Sequence, residues 1–203
     1  AVNRALRAIL PRAARLGGVL VLFTNREEMN RAYAELEAGL RESGVVPVRQ
    51  EEGLRVEAEH AFRTQRGTAL FGLRSYFSGA DFPGEQLVCV VLVKLPFRSP
   101  NDPTEMERAA AMAARGQDPF REYGLPVATL DFRQCFGRLI RTREDYGAVF
   151  VLDRRLMTFP QFLRSVPRCR MFRGSLEEAA EEALGFMEAW DKRRGAAEGK
   201  RTK

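Results

Sequence analysis

At 203 residues the chain fits one domain, or one and a little, and is long enough to bury a real core. Its 45% hydrophobic and 30% charged residues are ordinary for a soluble globular protein; no apolar run approaches the ~18 residues of a membrane span, and nothing at the start resembles a signal peptide. The net charge of +6 is weak evidence for nucleic acid, because Lys192, Arg193, Arg194, Lys200, Arg201 and Lys203, against Asp191 and Glu198, place most of it in the tail. Cys89, Cys135 and Cys169 lie far apart and show no Cys-x-x-Cys spacing, so neither a zinc site nor a disulfide framework is indicated. That usage suits a reducing cytoplasm, the expected location. The chain opens on Ala1 and is expected to be a piece of something longer.

Residues 3–16 have the spacing of an amphipathic helix, interrupted or restarted at Pro11 and ended by Gly17-Gly18. Val19 to Phe23 is a continuous apolar run of the kind buried on both faces of a parallel sheet. Thr24 and Asn25 are placed to cap a helix from about Arg26 to Arg41. A strand over Val45 to Val48, a helix over Glu51 to Gln65 and a strand over Thr68 to Gly72 follow, and then a long loop from Arg74 to Gly84. Leu87 to Val93 is the clearest strand. Beyond it the pattern predicts a helix from Thr104 to about Arg115, a short one after Asp118, and a longer one from Val127 to Thr142. Ala148 to Leu152 reads as a strand stopped by Asp153-Arg154-Arg155, Pro160 to Val166 as a short helix and Arg168 to Phe172 as extended. Ser175 is placed to cap a final helix with Glu177, Glu178, Glu181 and Glu182 near its positive end. Strands alternating with helices predict a three-layer α/β domain with a mainly parallel sheet over residues 1–190, and a basic, disordered tail over 191–203. In such sheets ligands bind at the carboxyl ends of strands, which here are the loops after Phe23, Gly72 and Val93.

One stretch organises the rest. At about 100° per helical residue, Gln134, Arg138 and Arg141 share one face, and Phe132, Cys135, Phe136, Leu139 and Ile140 share the opposite one. Arg is the side chain suited to forked contacts with phosphate oxygens, although spacing alone favours a solvated basic face on an ordinary amphipathic helix. The wording around it says more. Gln134-Cys135-x-Gly137-Arg138-x-Ile140-Arg141, followed by Asp145-Tyr146-Gly147, closely resembles motif VI of the DinG/XPD-type superfamily 2 helicases. Gly72-Leu-Arg-Ser75-Tyr-Phe-Ser-Gly79-Ala-Asp81-Phe-Pro83-Gly84 resembles motif V, Val93-Lys94-Leu95-Pro96-Phe97-x-x-Pro100-x-Asp102-Pro103 the segment after it, and Leu22-Phe23-Thr24-Asn25 motif IV. Four motifs in order across most of residues 19–155 make a specific match.

The resemblance implies a RecA-like fold and the role of a second motor domain in an ATP-dependent DNA helicase that tracks single-stranded DNA 5′ to 3′. Arg138 and Arg141 would be the arginine-finger candidates, with Gln134 orienting the nucleotide or its water. Gly79, Asp81 and Gly137 would be nucleotide-side elements, and Thr24, Asn25, Ser75 and Lys94 strand contacts. Other readings stay open: an ion pair for one arginine, with Asp81 as the partner; a loop brace for Asp81; a helix cap for Thr24 or Asn25; and, for Phe97, Tyr76 and Phe77, core positions against platforms on which a base could stack. The family has an acidic residue where Ser78 stands, which also leaves open a degenerate, non-catalytic module that binds DNA or protein. No Gly-x-x-x-x-Gly-Lys-Ser/Thr segment exists, and the tail from Gly195 to Thr202 only imitates one. ATP and Mg²⁺ would therefore be held mainly by a first RecA-like domain of the same chain. The expected partners are that domain and single-stranded DNA; a membrane is not among them.

Overall fold

The computed structural model describes residues 2–51, 54–78, 82, 86–140 and 145–201, with only the backbone of Ser78, Arg138 and 195–201. Five strands form one all-parallel sheet: β1 (Val19–Leu22), β2 (Val46–Arg49), β3 (Thr68–Gly72), β4 (Cys89–Leu92) and β5 (Ala148–Val151), in the order β2-β3-β1-β4-β5. The three central strands are buried along their whole length, as a parallel sheet covered on both faces requires. The expected three-layer α/β architecture is the one observed.

Because side chains alternate across a strand, each strand feeds two cores. Val19, Val21, Ala69, Phe71, Cys89 and Val91 enter the first, with α1 (Val2–Leu16), α2 (Arg26–Glu42) and α8 (Leu176–Arg201). Leu20, Leu22, Leu70, Val90 and Leu92 enter the second. It is covered by α3 (Arg55–Thr64), α4 (Ser75–Ser78), α6 (Leu125–Leu139) and α7 (Pro160–Ser165). The remaining helix, α5 (Pro103–Ala113), has no buried residue.

Local chemistry explains most boundaries. Asn25 caps α2, its Oδ1 accepting from the Glu28 N–H at 2.9 Å. Ser175 and Glu178 form a reciprocal cap on α8: Ser175 Oγ accepts from the Glu178 N–H at 3.2 Å, and the Glu178 carboxylate accepts from the Ser175 N–H at 2.9 Å. The first helix is one element through Pro11, because Leu6, Ile9, Leu10 and Ala13 on its inner face are all fully buried. Proline there costs a backbone bond, and packing of the apolar stripe outweighs it.

Four details differ from the sequence expectation. The start of the loop over 74–84 coils into α4. The helix expected from Glu51 begins, as described, at Arg55. The motif helix starts earlier, entered through a π-helical turn at Phe120–Gly124, and ends at Leu139. Ile140 has already turned to extended backbone (φ −119°, ψ 111°), which leaves its side chain exposed rather than on the buried stripe. The last helix continues past Trp190 to Arg201.

Candidate functional site: the carboxyl edge of the sheet

All five strands run the same way, so their carboxyl ends form one edge, and the loops after β1, β3, β4 and β5 meet there. The tight point is Gly72, the last residue of β3: an added Cβ would lie 2.7 Å from the Tyr76 ring. Only glycine lets α4 fold back directly against the strand end. Tyr76 and Phe77 are buried beneath this turn, which makes them core residues and removes them as platforms for a base. Phe97 is half-buried among Phe159, Phe162 and Phe120, at centroid distances of 5.5, 5.5 and 5.7 Å, with the Arg155 guanidinium over its ring at 5.3 Å. It too is chiefly a packing residue.

Two side chains outside the motifs pin the loop after β3. Gln50, just beyond β2, accepts from the Leu73 N–H at 2.8 Å and donates from Nε2 to Ser75 Oγ at 3.0 Å. Ser75 thus has its oxygen engaged and keeps its own proton to donate. On the other flank Arg74 pairs with Asp131 of α6 and donates from Nη1 to the Pro96 carbonyl at 3.3 Å. The next loop is held by Asp153, whose Oδ2 accepts from the Leu95 N–H at 2.9 Å and pairs with Arg155 at 2.7 Å. Burial works against the charge of Asp153, but the Arg155 side chain and the backbone N–H groups of Leu95 and Arg155 outweigh it and hold the carboxyl below the usual range. Thr24, Arg74, Phe77, Pro96, Phe97 and Arg98 line an open cleft of about 180 Å³ between these loops.

Thr24 and Asn25 are exposed at the end of β1; Asn25 is the cap of α2, and Thr24 faces the cleft. Lys94 pairs with Glu28 in the first turn of α2. On α6, Phe132, Cys135 and Leu139 are buried as the spacing requires. Gln134 is half-buried, and its Oε1, cut off from solvent, accepts no hydrogen bond among the described residues. A buried carbonyl without a donor costs about 1–3 kcal/mol. Gly137 is exposed, and a Cβ built there meets nothing within 4 Å among the described residues, so their packing does not account for the glycine. Among the described residues, then, α6 carries one polar group whose hydrogen bond is not made and one glycine that packing does not require. Gly79, Asp81, Arg141 and the side chain of Arg138 lie outside the described residues. Among the described residues no group of three or more His, Cys, Asp and Glu could hold a metal ion, and no helix is long and apolar enough to cross a membrane. Cys89, Cys135 and Cys169 are free thiols, and burial pushes that of Cys89 up.

The structure therefore brings together Thr24, Ser75 and the Lys94 loop along one edge. It adds Gln50, Asp131 and Asp153, which motif reading missed. Asp131 had a readable signal, since it stands three residues before Gln134 on the same helix face. Gln50 had none beyond its place at the end of a predicted strand.

Comparison with known proteins gives a consistent picture. Residues 10–169 match the family model described as the helicase C-terminal domain. The chain is 36% identical over 142 residues to the 3'-5' exonuclease DinG of Bacillus subtilis, covering 69% of this chain and 15% of that protein. It is 41% identical over 101 residues to the ATP-dependent DNA helicase YoaA of Escherichia coli, covering 48% and 16%. Against the ATP-dependent DNA helicase DinG of Photobacterium profundum it is 33% identical over 142 residues, covering 68% and 20%. The chain thus spans about a fifth or less of the length of these relatives. Among solved structures, one described as XPD helicase superposes with a TM-score of 0.62 at 17% identity over 84% of this chain and 31% of that one. The Xpd4 structure of S. tokodaii superposes with a TM-score of 0.55 at 18% identity, over 82% and 33%.

Proposed function

The chain belongs to the family of helicase C-terminal domains of the DinG/XPD type, and from that premise we propose that it is the second motor domain of an ATP-dependent DNA helicase that translocates 5′ to 3′ on single-stranded DNA. The observation that carries the reading is the unfinished face of α6, where, among the described residues, the Gln134 carbonyl is buried without a donor and no side chain packs against Gly137. A first RecA-like domain, over residues the present chain does not contain, would hold ATP and Mg²⁺ against this face. ATP and Mg²⁺ supply the transferable phosphoryl group and the charge that neutralises it.

The work of this chain is positioning and electrostatics. Arg138 and Arg141 would present guanidiniums to the developing negative charge, a contribution on the order of 10³ to 10⁵ in rate for an arginine finger. Gln134 would orient the nucleotide or its water, and Gly137 would allow close approach. Gly79 and Asp81 would form the nucleotide side of the loop after β3. On the DNA side, the Ser75 hydroxyl, aimed by Gln50, would donate to a phosphate, with Thr24, Asn25 and Lys94 as neighbouring contacts along the edge. Such contacts carry no base preference and weaken with salt, by about 0.7 in log-log slope for each phosphate neutralised on a single strand.

The deciding experiment is ATP hydrolysis by the full-length protein, with and without single-stranded DNA, beside this domain alone. Strong stimulation of the whole protein and silence of the domain are expected. A full-length protein without turnover would favour the second reading, a degenerate module that binds DNA or protein, for which Ser78 in place of the family's acidic residue is the specific reason.

A further inference from the structure

Among the described residues the DNA-side loop and the nucleotide-side helix are joined by one charged contact. Arg74, at the turn between β3 and α4, pairs with Asp131 on α6, and among the described residues no other ion pair links the loop after β3 to that helix. The two ends differ in setting. The Arg74 side chain is 38% exposed and lines the open cleft, whereas Asp131 is 13% exposed and lies on the helix itself. Asp131, Gln134 and Arg138 are spaced i, i+3, i+7, so the carboxylate occupies the same face as the groups proposed to meet the nucleotide. The same guanidinium donates to the Pro96 carbonyl in the loop after β4. Through one side chain, then, the loops after β3 and β4 share a fixed point on α6.

Apolar packing holds these elements together, and the ion pair with its second anchoring hydrogen bond adds a directional contact at one point of the helix. A shift of the loop after β3, such as the one a strand seated on Ser75 would impose, would reach the α6 backbone at Asp131, one turn before Gln134.

We propose that the Arg74–Asp131 pair is the positioning link through which single-stranded DNA on the sheet edge sets the pose of the α6 nucleotide face. The inference rests on the helicase reading above, and it names as the carriers of its regulation Arg74, to which that reading gives no role, and Asp131, which lies outside the motifs. Both are positioning residues, acting through Gln134 and the arginines beyond it.

The test uses the full-length protein with three variants, Asp131→Asn, Arg74→Asp, and the exchange of both charges, Arg74→Asp with Asp131→Arg. Two quantities are read: the ratio of DNA-stimulated to basal ATP turnover, and, without ATP, the change in amide hydrogen exchange across α6 on adding a single-stranded oligonucleotide. Either single change should lower the ratio about tenfold, the size of an ordinary coupling between sites, and abolish the response of α6 to DNA. The exchanged pair should recover both, the ratio to within about threefold of the parent. A merely structural brace would lower thermal stability without erasing the exchange response in the folded protein. If both single variants keep full stimulation, the link does not exist. If Arg74→Asp instead lowers the salt slope of DNA binding by about 0.7 and the exchanged pair fails to recover, Arg74 is a phosphate ligand, which also overturns the proposal. A parent without any DNA stimulation refutes the helicase reading itself, a result distinct from a stimulated parent whose variants behave like it.

Discussion

The two helical layers are built from different side chains. Against one face of the sheet, α1, α2 and α8 contribute mainly the aliphatic Leu6, Ile9, Leu10, Leu36, Leu184 and Met187, to a core that also holds Phe23, Phe71, Tyr146 and Phe150. It is sealed at the rim by Arg12, which bridges Glu181 at 2.6 Å and Glu188 at 3.0 Å. Against the other face the core is rich in aromatics, among them Phe62, Tyr76, Phe77, Phe132 and Phe162, and it contains buried polar atoms without partners, Tyr76 Oη and Gln134 Oε1. Every motif helix lies on this second side. Buried polar atoms are hydrogen-bonded as a rule, so each exception on the motif side is a place to test.

The strongest way to break the comparison is through function. Arg141→Ala in the full-length protein should cut ATP turnover by about 10³-fold or more while leaving ATP binding largely intact, measured as turnover beside nucleotide titration. Unchanged turnover would remove Arg141 from the catalytic face. On the α8 side, Leu184→Ala should cost about 2–5 kcal/mol by opening a cavity under a fully buried side chain. Urea denaturation of the domain reads this directly, and a loss well under that range would mean that α8 is not docked as described.

Smaller effects sharpen the picture of the open side. Tyr76→Phe removes a buried hydroxyl without a partner, so it should stabilise the domain by about 1 kcal/mol rather than weaken it. It should also alter the alkaline limit. Burial, with Glu59 adding to it, pushes the phenol up to about 12. A group whose folded pKa is raised contributes stability that is present below its unfolded value of about 10 and is lost as pH climbs toward the folded one. The Phe variant should lose less stability across that window. Destabilisation at neutral pH would show instead that the hydroxyl is satisfied. Gly137→Ala should raise the stability of the isolated domain by about 0.5–1 kcal/mol, since glycine in a helix interior is unfavourable and the added methyl meets nothing. The same change should lower turnover of the whole protein. Unaltered turnover would mean that nothing closes on that face.

Much of this was legible in the residues themselves. Apolar runs such as Val19 to Phe23 can only be buried on both sides, so the parallel sheet follows from them, and Asn25 and Ser175 marked helix starts because their side chains satisfy open N–H groups. The motif spacing on α6 placed Phe132, Cys135 and Leu139 inside. Where that reading fell short, the cause was tertiary. Helical periodicity placed Ile140 on the buried stripe, but the helix ends one residue earlier, a boundary the local pattern does not encode. Phe97, Tyr76 and Phe77 were ambiguous because an aromatic beside a cation has the same spelling in a core and in a binding platform; only the packing of Phe97 against Phe159 and Phe162, and the burial of the other two, decided it.

By itself the sequence determined the sheet, its helices and the family, because these depend on periodicity, caps and motif order, which are local or linear properties. Only the tertiary structure decided that Gln50 aims Ser75, that Asp153 holds the loop after β4, and that Arg74 reaches Asp131 across 57 positions of chain. Such contacts depend on which strand ends the sheet order brings together, and no spacing along the chain records that.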